Sequence, residues 1–221
     1  MKKISALIAS ILMGACTPAV ADPSVKGWNT YDSMGCMMLR ECKDGVKEIK
    51  SLEDFKSHYP NSYYGPISNE FKEMLHTLHE LGIGVFLADS KYFIEQNRGV
   101  YHTLGNNLFL NQDYMDRSHT LMGVLRHEGW HVAQDCMGGE IKNNIIAIIH
   151  DEEDVPIWWQ EQAKRTYPKE ALPWEKEALW AGHTEMMTLN ALKVCLAGNM
   201  WETYEPTPLT RAYLEKKGYI K

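Results

Sequence analysis

The sequence lacks a long apolar run and an excess of positive charge. Its most apolar stretch, from Ile4 to about Ala15, is shorter than the roughly 20 residues that a transmembrane helix needs. Acidic side chains outnumber basic ones, 29 to 23, and no basic stripe is present, so the formal net charge is −6. We therefore expect a chain that binds no nucleic acid and whose mature form has no transmembrane segment.

Internal repeats, low-complexity segments and a Cys-x-x-Cys pair are also absent from the 221 residues. The absence of such a pair disfavours a zinc site made of thiolates. Hydrophobic residues make up 44% and charged residues 24% of the sequence, which is ordinary globular composition. Length and composition together predict one globular domain over residues 22–221.

The N-terminus has the order of a secretory signal peptide: two lysines, the apolar stretch, and then Ala19-Val20-Ala21. We predict cleavage after Ala21, so that residues 1–21 are removed and the protein is secreted or periplasmic. Cleavage would deepen the net charge from −6 to −8, because it removes two lysines and no acid. Lipid attachment at Cys16, within a segment that resembles a bacterial lipobox, is the alternative.

Four of the five cysteines remain after this cleavage, namely Cys36, Cys42, Cys136 and Cys195. In an exported chain, four cysteines indicate two disulfides, which have three possible connectivities. We favour Cys36–Cys42, because these residues are only six positions apart. The second bridge would then be Cys136–Cys195, joining two predicted helices.

Hydrophobic periodicity predicts an α+β chain in two parts. Residues 22–117 form a mixed part, with loop before about residue 66, a strand near 45–49, a helix over 70–81, a strand over 85–88 and a hairpin that turns at Gly105-Asn106. Residues 118–221 form a mainly helical part, with helices predicted over 118–137, 141–149, 156–165, 173–196 and 210–217.

The helix predicted over 118–137 contains the pattern H-E-x-x-H at His127, Glu128 and His131. Residues four apart share a helix face, so both imidazoles can reach one Zn²⁺. Glu128 lies beside that position, where it can act as a general base. Because the rest of the helix is apolar, burying these three side chains without a metal or another partner would be unfavourable.

A third ligand is expected from a later helix. One zincin group places a glycine and a third histidine where this chain has Gln134 and Met137, so that group is excluded. On a wheel drawn for the helix over 173–196, Glu175 shares a face with apolar and small residues, and Glu177 lies roughly opposite. Since a ligand must point inward, we predict Glu175 as the third ligand and keep Glu177 as the alternative.

With His127-Glu128-x-x-His131 followed by Glu175-x-x-Ala178 on a second helix, the chain resembles the gluzincin metallopeptidases. The resemblance implies a zincin-like fold that binds Zn²⁺ through His127, His131 and Glu175. It also implies hydrolysis of peptide bonds by a metal-activated water, with Glu128 as the general base.

The resemblance covers about residues 100–190 and implies a peptide or protein substrate, laid in extended form along the edge strand of the hairpin. The chain departs from the family at Leu179, where several members have an aspartate that orients a histidine. His183, Tyr101 and His102 are candidates for stabilising the oxyanion, and their spacing does not decide between them.

Two other functions stay open at this point. The same fold could bind zinc without hydrolysis and recognise a protein or cell-wall partner, or the chain could be a disulfide-stabilised structural protein without a metal. We interpret His76 and His79 as surface histidines. The acidic run 151–154 is interpreted as a solvated loop, because it lacks the glycine and terminal glutamate of a calcium loop.

Overall fold

The structure, a computed structural model, describes residues 30–94, 96–139, 141 and 145–221. The predicted signal peptide over residues 1–21 and the alternative lipid site at Cys16 lie outside these residues. The helices are α1 (Thr30–Met38), α2 (Leu52–His58), α3 (Ser68–Glu80), α4 (Ser118–Met137), α5 (Ile157–Thr166), α6 (Leu172–Gly182), α7 (Met187–Leu196), α8 (Met200–Thr203) and α9 (Pro208–Lys217). The strands are β1 (Val46–Glu48), β2 (Gly84–Ala88), β3 (Gly99–His102) and β4 (Asn107–Asn111).

The described chain is α+β, as predicted, and all its strands precede residue 118. They form a mixed sheet in the order β1-β2-β4-β3. β3 and β4 are the predicted antiparallel hairpin, β2 runs parallel to β4, and β1 is antiparallel to β2. β3 is therefore an edge strand of the described sheet.

The two faces of the sheet contribute to different apolar clusters, because successive side chains of a strand point in opposite directions. Val85 and Leu108 belong to the larger cluster, which also includes residues of α3 and α4. Phe86 and Phe109 belong to a smaller cluster that includes Met37 of α1. The helix with the H-E-x-x-H pattern consequently packs directly against the sheet.

Two short helices that were not predicted, α1 and α2, lie in the part that was predicted to be rich in loops. The Cys36–Cys42 disulfide closes the end of α1. In α2, Asp54 accepts hydrogen bonds from the backbone N–H of Ser51, and Leu52 and Phe55 are buried. One or two turns carry too few apolar positions to produce a clear periodicity.

The prediction of a helix over residues 141–149 was also wrong, since the described residues 145–149 are not helical. Their backbone groups bond to other elements rather than to one another. The N–H of Ala147 donates to the carbonyl of Gln134 (2.9 Å), and the hydroxyl of Thr210 donates to the carbonyl of Ile148 (2.9 Å). Hydrogen bonds to other elements thus keep residues 145–149 out of a helix, although their apolar character favoured one.

The single helix predicted over 173–196 is two helices, α6 and α7. The break ends at Met186, which has a left-handed backbone conformation with φ of 63°. Its N–H donates to the buried carboxylate of Glu70 on α3 (3.0 Å), and Arg126 of α4 forms an ion pair with the same carboxylate. A buried acceptor on a distant helix therefore holds the strained turn that the local sequence did not indicate.

Both predicted disulfides are present, Cys36–Cys42 and Cys136–Cys195, and the second joins α4 to α7. Among the described residues, no helix has the length and apolar character needed to cross a membrane.

Candidate metal centre

The structure brings together the three side chains that were predicted to bind a metal. His127 and His131 lie one turn apart on α4 and face Glu175 in the first turn of α6. The Nε2 atom of His127 is 3.2 Å from Oε2 of Glu175, and Nε2 of His131 is 3.7 Å from Oε1. One ligand atom from each of the three residues lies within 4.8 Å of those of the other two, so a single cation can contact all three.

A contact between glycines allows α6 to approach this face of α4. A Cβ atom at Gly182 would lie 3.0 Å from the carbonyl oxygen of Gly123 and 3.2 Å from Cβ of His127. Such distances are shorter than nearly all real contacts of a Cβ atom, so a larger residue at 182 would push the helices apart. Gly182 thus helps to set the distance between the imidazoles and Glu175.

The oxygens of Glu175 fit a cation better than they fit the surrounding protein. Although Oε2 is close to His127, the contact does not have hydrogen-bond geometry, and this buried oxygen has no hydrogen-bond partner among the described residues. Burial alone would raise the pKa of Glu175, but its interactions with His127 and His131 outweigh burial and hold the pKa well below its usual value. Together with the two imidazoles, this carboxylate forms a group that can hold a metal ion.

The centre also attracts positive charge. Burial would lower the pKa of His131, but Glu175 and Glu128 act in the opposite direction, and the result is a pKa of about 9. Without a metal, a proton would therefore occupy this position at neutral pH. A metal and a proton compete for the same nitrogen.

Glu128 lies beside the three ligands and against β3. It is buried, and it accepts a hydrogen bond from the backbone N–H of Tyr101. Burial raises the pKa of Glu128, while His127 and His131 lower it to a smaller extent. This carboxylate is therefore a stronger base than an exposed glutamate.

Sequence reasoning missed Gly99, which makes room for Glu128. A Cβ atom at position 99 would lie 2.8 Å from Cγ and 2.9 Å from Oε1 of Glu128. No local motif marks this glycine, because its contact is with a residue 29 positions later in the chain.

Sequence reasoning also missed Tyr167, which follows α5. Its ring lies nearly parallel to that of His127, with centroids 6.1 Å apart and planes at 10°. Burial raises the pKa of Tyr167 well above its usual value, and the charges of Glu175 and Glu128 add to the rise. A protonated phenol consequently lies at the metal centre, although no spacing rule connects it with the H-E-x-x-H pattern.

The three predicted candidates for an oxyanion donor lie in different surroundings. The hydroxyl of Tyr101 donates to Asp135 (2.8 Å), whereas the buried Nδ1 of His102 has no hydrogen-bond partner among the described residues. His183 is exposed at the end of α6, where its ring stacks on Trp159 with centroids 4.5 Å apart.

Glu177, the alternative ligand, belongs to a different buried site. It has no exposed surface and accepts hydrogen bonds from Trp130, Gln134 and the backbone N–H groups of Ile149 and His150. The premise that only Glu175 points inward was wrong, because Glu177 is more deeply buried than Glu175. α6 is covered on one side by α4 and on another by the segment 145–150. Both Glu175 and Glu177 therefore point toward other parts of the protein, and this alone does not identify the ligand.

Two surface interpretations have different outcomes. Residues 151–154 and His76 are exposed, as expected. His79 is half-buried, and its Nε2 atom has no hydrogen-bond partner among the described residues, so the surface interpretation was only partly right for this pair.

No protein-family model matches this sequence, and neither the curated proteins nor the solved structures provide a match. The class of site is therefore defined by its own geometry. It is a potential metal centre of two histidines and one glutamate, carried by two helices that pack beside a small mixed sheet.

Proposed function

We propose that the chain is an exported zinc metallopeptidase with a zincin-like fold. One observation carries the proposal: the possible ligands His127, His131 and Glu175 converge on one point, with the buried carboxylate of Glu128 beside them. Two disulfides are compatible with a secreted or periplasmic protein.

Zinc is the metal that this donor set favours. Two imidazoles and one carboxylate are a common ligand set of catalytic zinc sites, in which a further position stays open. When bound, zinc would supply Lewis-acid chemistry, polarising a carbonyl and lowering the pKa of a water molecule.

Glu128 is the proposed general base. Its burial raises its pKa, and the backbone N–H of Tyr101 is a hydrogen-bond partner of its carboxylate. It would take a proton from the attacking water and later transfer it to the departing amine nitrogen.

The edge strand β3 is the proposed site for the substrate backbone. The carbonyl of Arg98 accepts a hydrogen bond from the N–H of Asn111, and in an antiparallel ladder every second residue bonds to the partner strand. The backbone groups of Gly99 and the carbonyl of Tyr101 consequently face the free edge of the sheet, while the N–H of Tyr101 is already directed to Glu128. An extended peptide can add there by strand pairing, which places its backbone next to Glu128.

Tyr167 is the proposed donor to the oxyanion. Burial and the nearby charges of Glu175 and Glu128 raise its pKa well above the usual value, so the phenol is protonated at neutral pH. It would donate a hydrogen bond to the carbonyl oxygen as negative charge develops there.

The proposal is tested with the mature protein, residues 22–221. We expect about one zinc per chain and cleavage of casein or of a peptide library, with Glu128→Gln retaining zinc and losing activity. Glu161→Gln, which changes a distant residue of α5, is the matched control and should behave as wild type. Less than about 0.2 zinc per chain would contradict the metal centre and favour a purely structural protein. Zinc binding without cleavage would contradict hydrolysis and favour a zinc protein that recognises a partner.

A further inference from the structure

We propose that Gln134 and Glu177 are positioning residues that hold His131 in the one tautomer able to bind the metal. This inference rests on the metal centre of the proposed function. It concerns two side chains that touch neither the metal position nor a substrate.

The backbone and indole groups that bond to the Glu177 carboxylate can act only as hydrogen-bond donors. The backbone N–H of Ile149 donates to its Oε1 (3.0 Å), and the N–H of His150 donates to the same atom (3.0 Å). The indole N–H of Trp130 donates to Oε2 (3.1 Å). Backbone and indole N–H groups only donate, so they require a group at position 177 that only accepts, which is a carboxylate.

The carboxylate of Glu177 in turn determines the orientation of the Gln134 amide. Nε2 of Gln134 donates to Oε2 of Glu177 (3.1 Å) and to the carbonyl of Trp174 (3.1 Å). Both partners are acceptors, so the NH₂ end must point toward them. The carbonyl end of the Gln134 amide therefore points the other way, toward His131.

This orientation decides which nitrogen of His131 carries a proton. Nδ1 of His131 lies 2.8 Å from Oε1 of Gln134. Since Oε1 only accepts, Nδ1 must be the N–H donor. In the neutral imidazole the lone pair then resides on Nε2, the atom that faces Glu175. The same hydrogen bonds also fix the rotation of the ring.

The other histidine has no comparable support. Leu179 occupies the place where the resemblance suggested an orienting aspartate, and the ring of His127 lies against that of Tyr167. Support by hydrogen bonds is thus concentrated on His131. A buried carboxylate is unfavourable unless it is well paired, which argues that Glu177 does more than fill space.

Metal-free protein is titrated with Co²⁺, and Zn²⁺ affinity is then measured by competition. We expect Gln134→Leu to lower the affinity for both metals by about ten- to a hundredfold, the usual range for a lost orienting partner. Glu177→Gln should also lower it, because the new NH₂ group would face donors. The double variant Gln134→Glu/Glu177→Gln should recover part of the affinity. In it, the amide introduced at position 177 would donate a hydrogen bond to the carboxylate introduced at position 134.

Thr188→Val is the matched control. Thr188 is buried and donates to the carbonyl of Arg126 on α4 (2.8 Å), so its loss weakens the same helix without touching His131. We expect a lower unfolding temperature with unchanged metal affinity. As a second measurement, zinc-loaded protein with ¹⁵N-labelled histidine should show a slowly exchanging Nδ1–H of His131 that is absent in Gln134→Leu. If Glu177→Gln fails to fold, the Nδ1–H signal of His131 and the metal affinity of Gln134→Leu still test the inference.

The outcomes separate this inference from the proposed function. Unchanged affinity and an unchanged His131 signal in Gln134→Leu would overturn the positioning role alone. Equal losses of affinity in Gln134→Leu and Thr188→Val would also overturn it, because they would reflect a general weakening of α4. A wild-type protein that binds zinc without cleaving peptides would overturn hydrolysis only. If the wild type binds neither metal, both proposals fail.

Discussion

Gly99 of β3 and Glu128 of α4 are in such close contact that one added methyl group would lie 2.8 Å from Cγ of Glu128. The glycine thereby determines where the proposed general base sits, although it takes no part in metal binding. The contact gives a way to displace the base without altering any ligand.

We predict that Gly99→Ala retains zinc and lowers kcat by about a hundredfold, because a displacement of about 1 Å at a reacting group has an effect of this size. The measurement is zinc content together with kcat and KM on one peptide. Gly35→Ala is the control, since a Cβ atom there meets nothing within 4 Å. Normal kcat in Gly99→Ala would show that the position of Glu128 is not critical.

Removal of the Tyr167 hydroxyl tests the proposed oxyanion donor. Tyr167→Phe keeps the ring beside His127, and we expect kcat to fall by about a hundred- to a thousandfold with little change in KM or zinc content. Tyr63→Phe, at an exposed tyrosine, is the control. A fall in zinc affinity instead of kcat would mean that the phenol serves Glu175 rather than the reaction.

Asp135 should make stability depend on pH. It is fully buried, and burial raises its pKa to about 7 despite the hydrogen bond from Tyr101. Because the folded-state pKa lies above the unfolded value of 3.8, the contribution to stability is complete below about pH 4 and is lost as the pH rises through about 7.

Asp135→Asn stays neutral and should not show this loss. Between about pH 4 and pH 8, the free energy of unfolding of the wild type should fall relative to that of the variant by up to about 4 kcal/mol. Urea unfolding of both proteins in EDTA measures the difference without a contribution from metal. A difference that does not vary with pH would show that the carboxyl group titrates normally.

The two disulfides should contribute unequally to stability. Cys136–Cys195 spans 59 residues and Cys36–Cys42 spans 6. Loop-closure entropy then predicts that replacing the pair by alanines costs about 4 kcal/mol for the long bridge and about 2 kcal/mol for the short one. Urea unfolding of the two double variants gives the comparison, and equal losses would contradict the entropic explanation.

The parts of the site that lie on one helix could be predicted from the sequence. α4 has the predicted bounds, because twenty residues carry enough apolar periodicity and the H-E-x-x-H spacing is a property of the helix itself. The prediction of Glu175 as a ligand required only that a second predicted helix carry a glutamate. The hairpin could also be predicted, since Gly105-Asn106 is a local turn signal.

The remaining features depend on partners that are distant in the sequence. The turn at Met186 depends on Glu70, 116 positions away. Glu177 depends on backbone donors from a segment that local pattern predicted to be a helix. Periodicity describes a residue's neighbours along the chain, and it does not reveal which distant acceptor will capture a backbone N–H.

The separation of Glu175 from His131 by 44 positions has a consequence for how the protein acquires its metal. In the unfolded chain Glu175 is far from the two histidines, and all three ligands meet only when α4 and α6 pack through Gly123 and Gly182. Metal would therefore bind the folded structure more tightly than the unfolded chain and shift the folding equilibrium by mass action. The temperature at which the protein unfolds would then report the free zinc concentration around it.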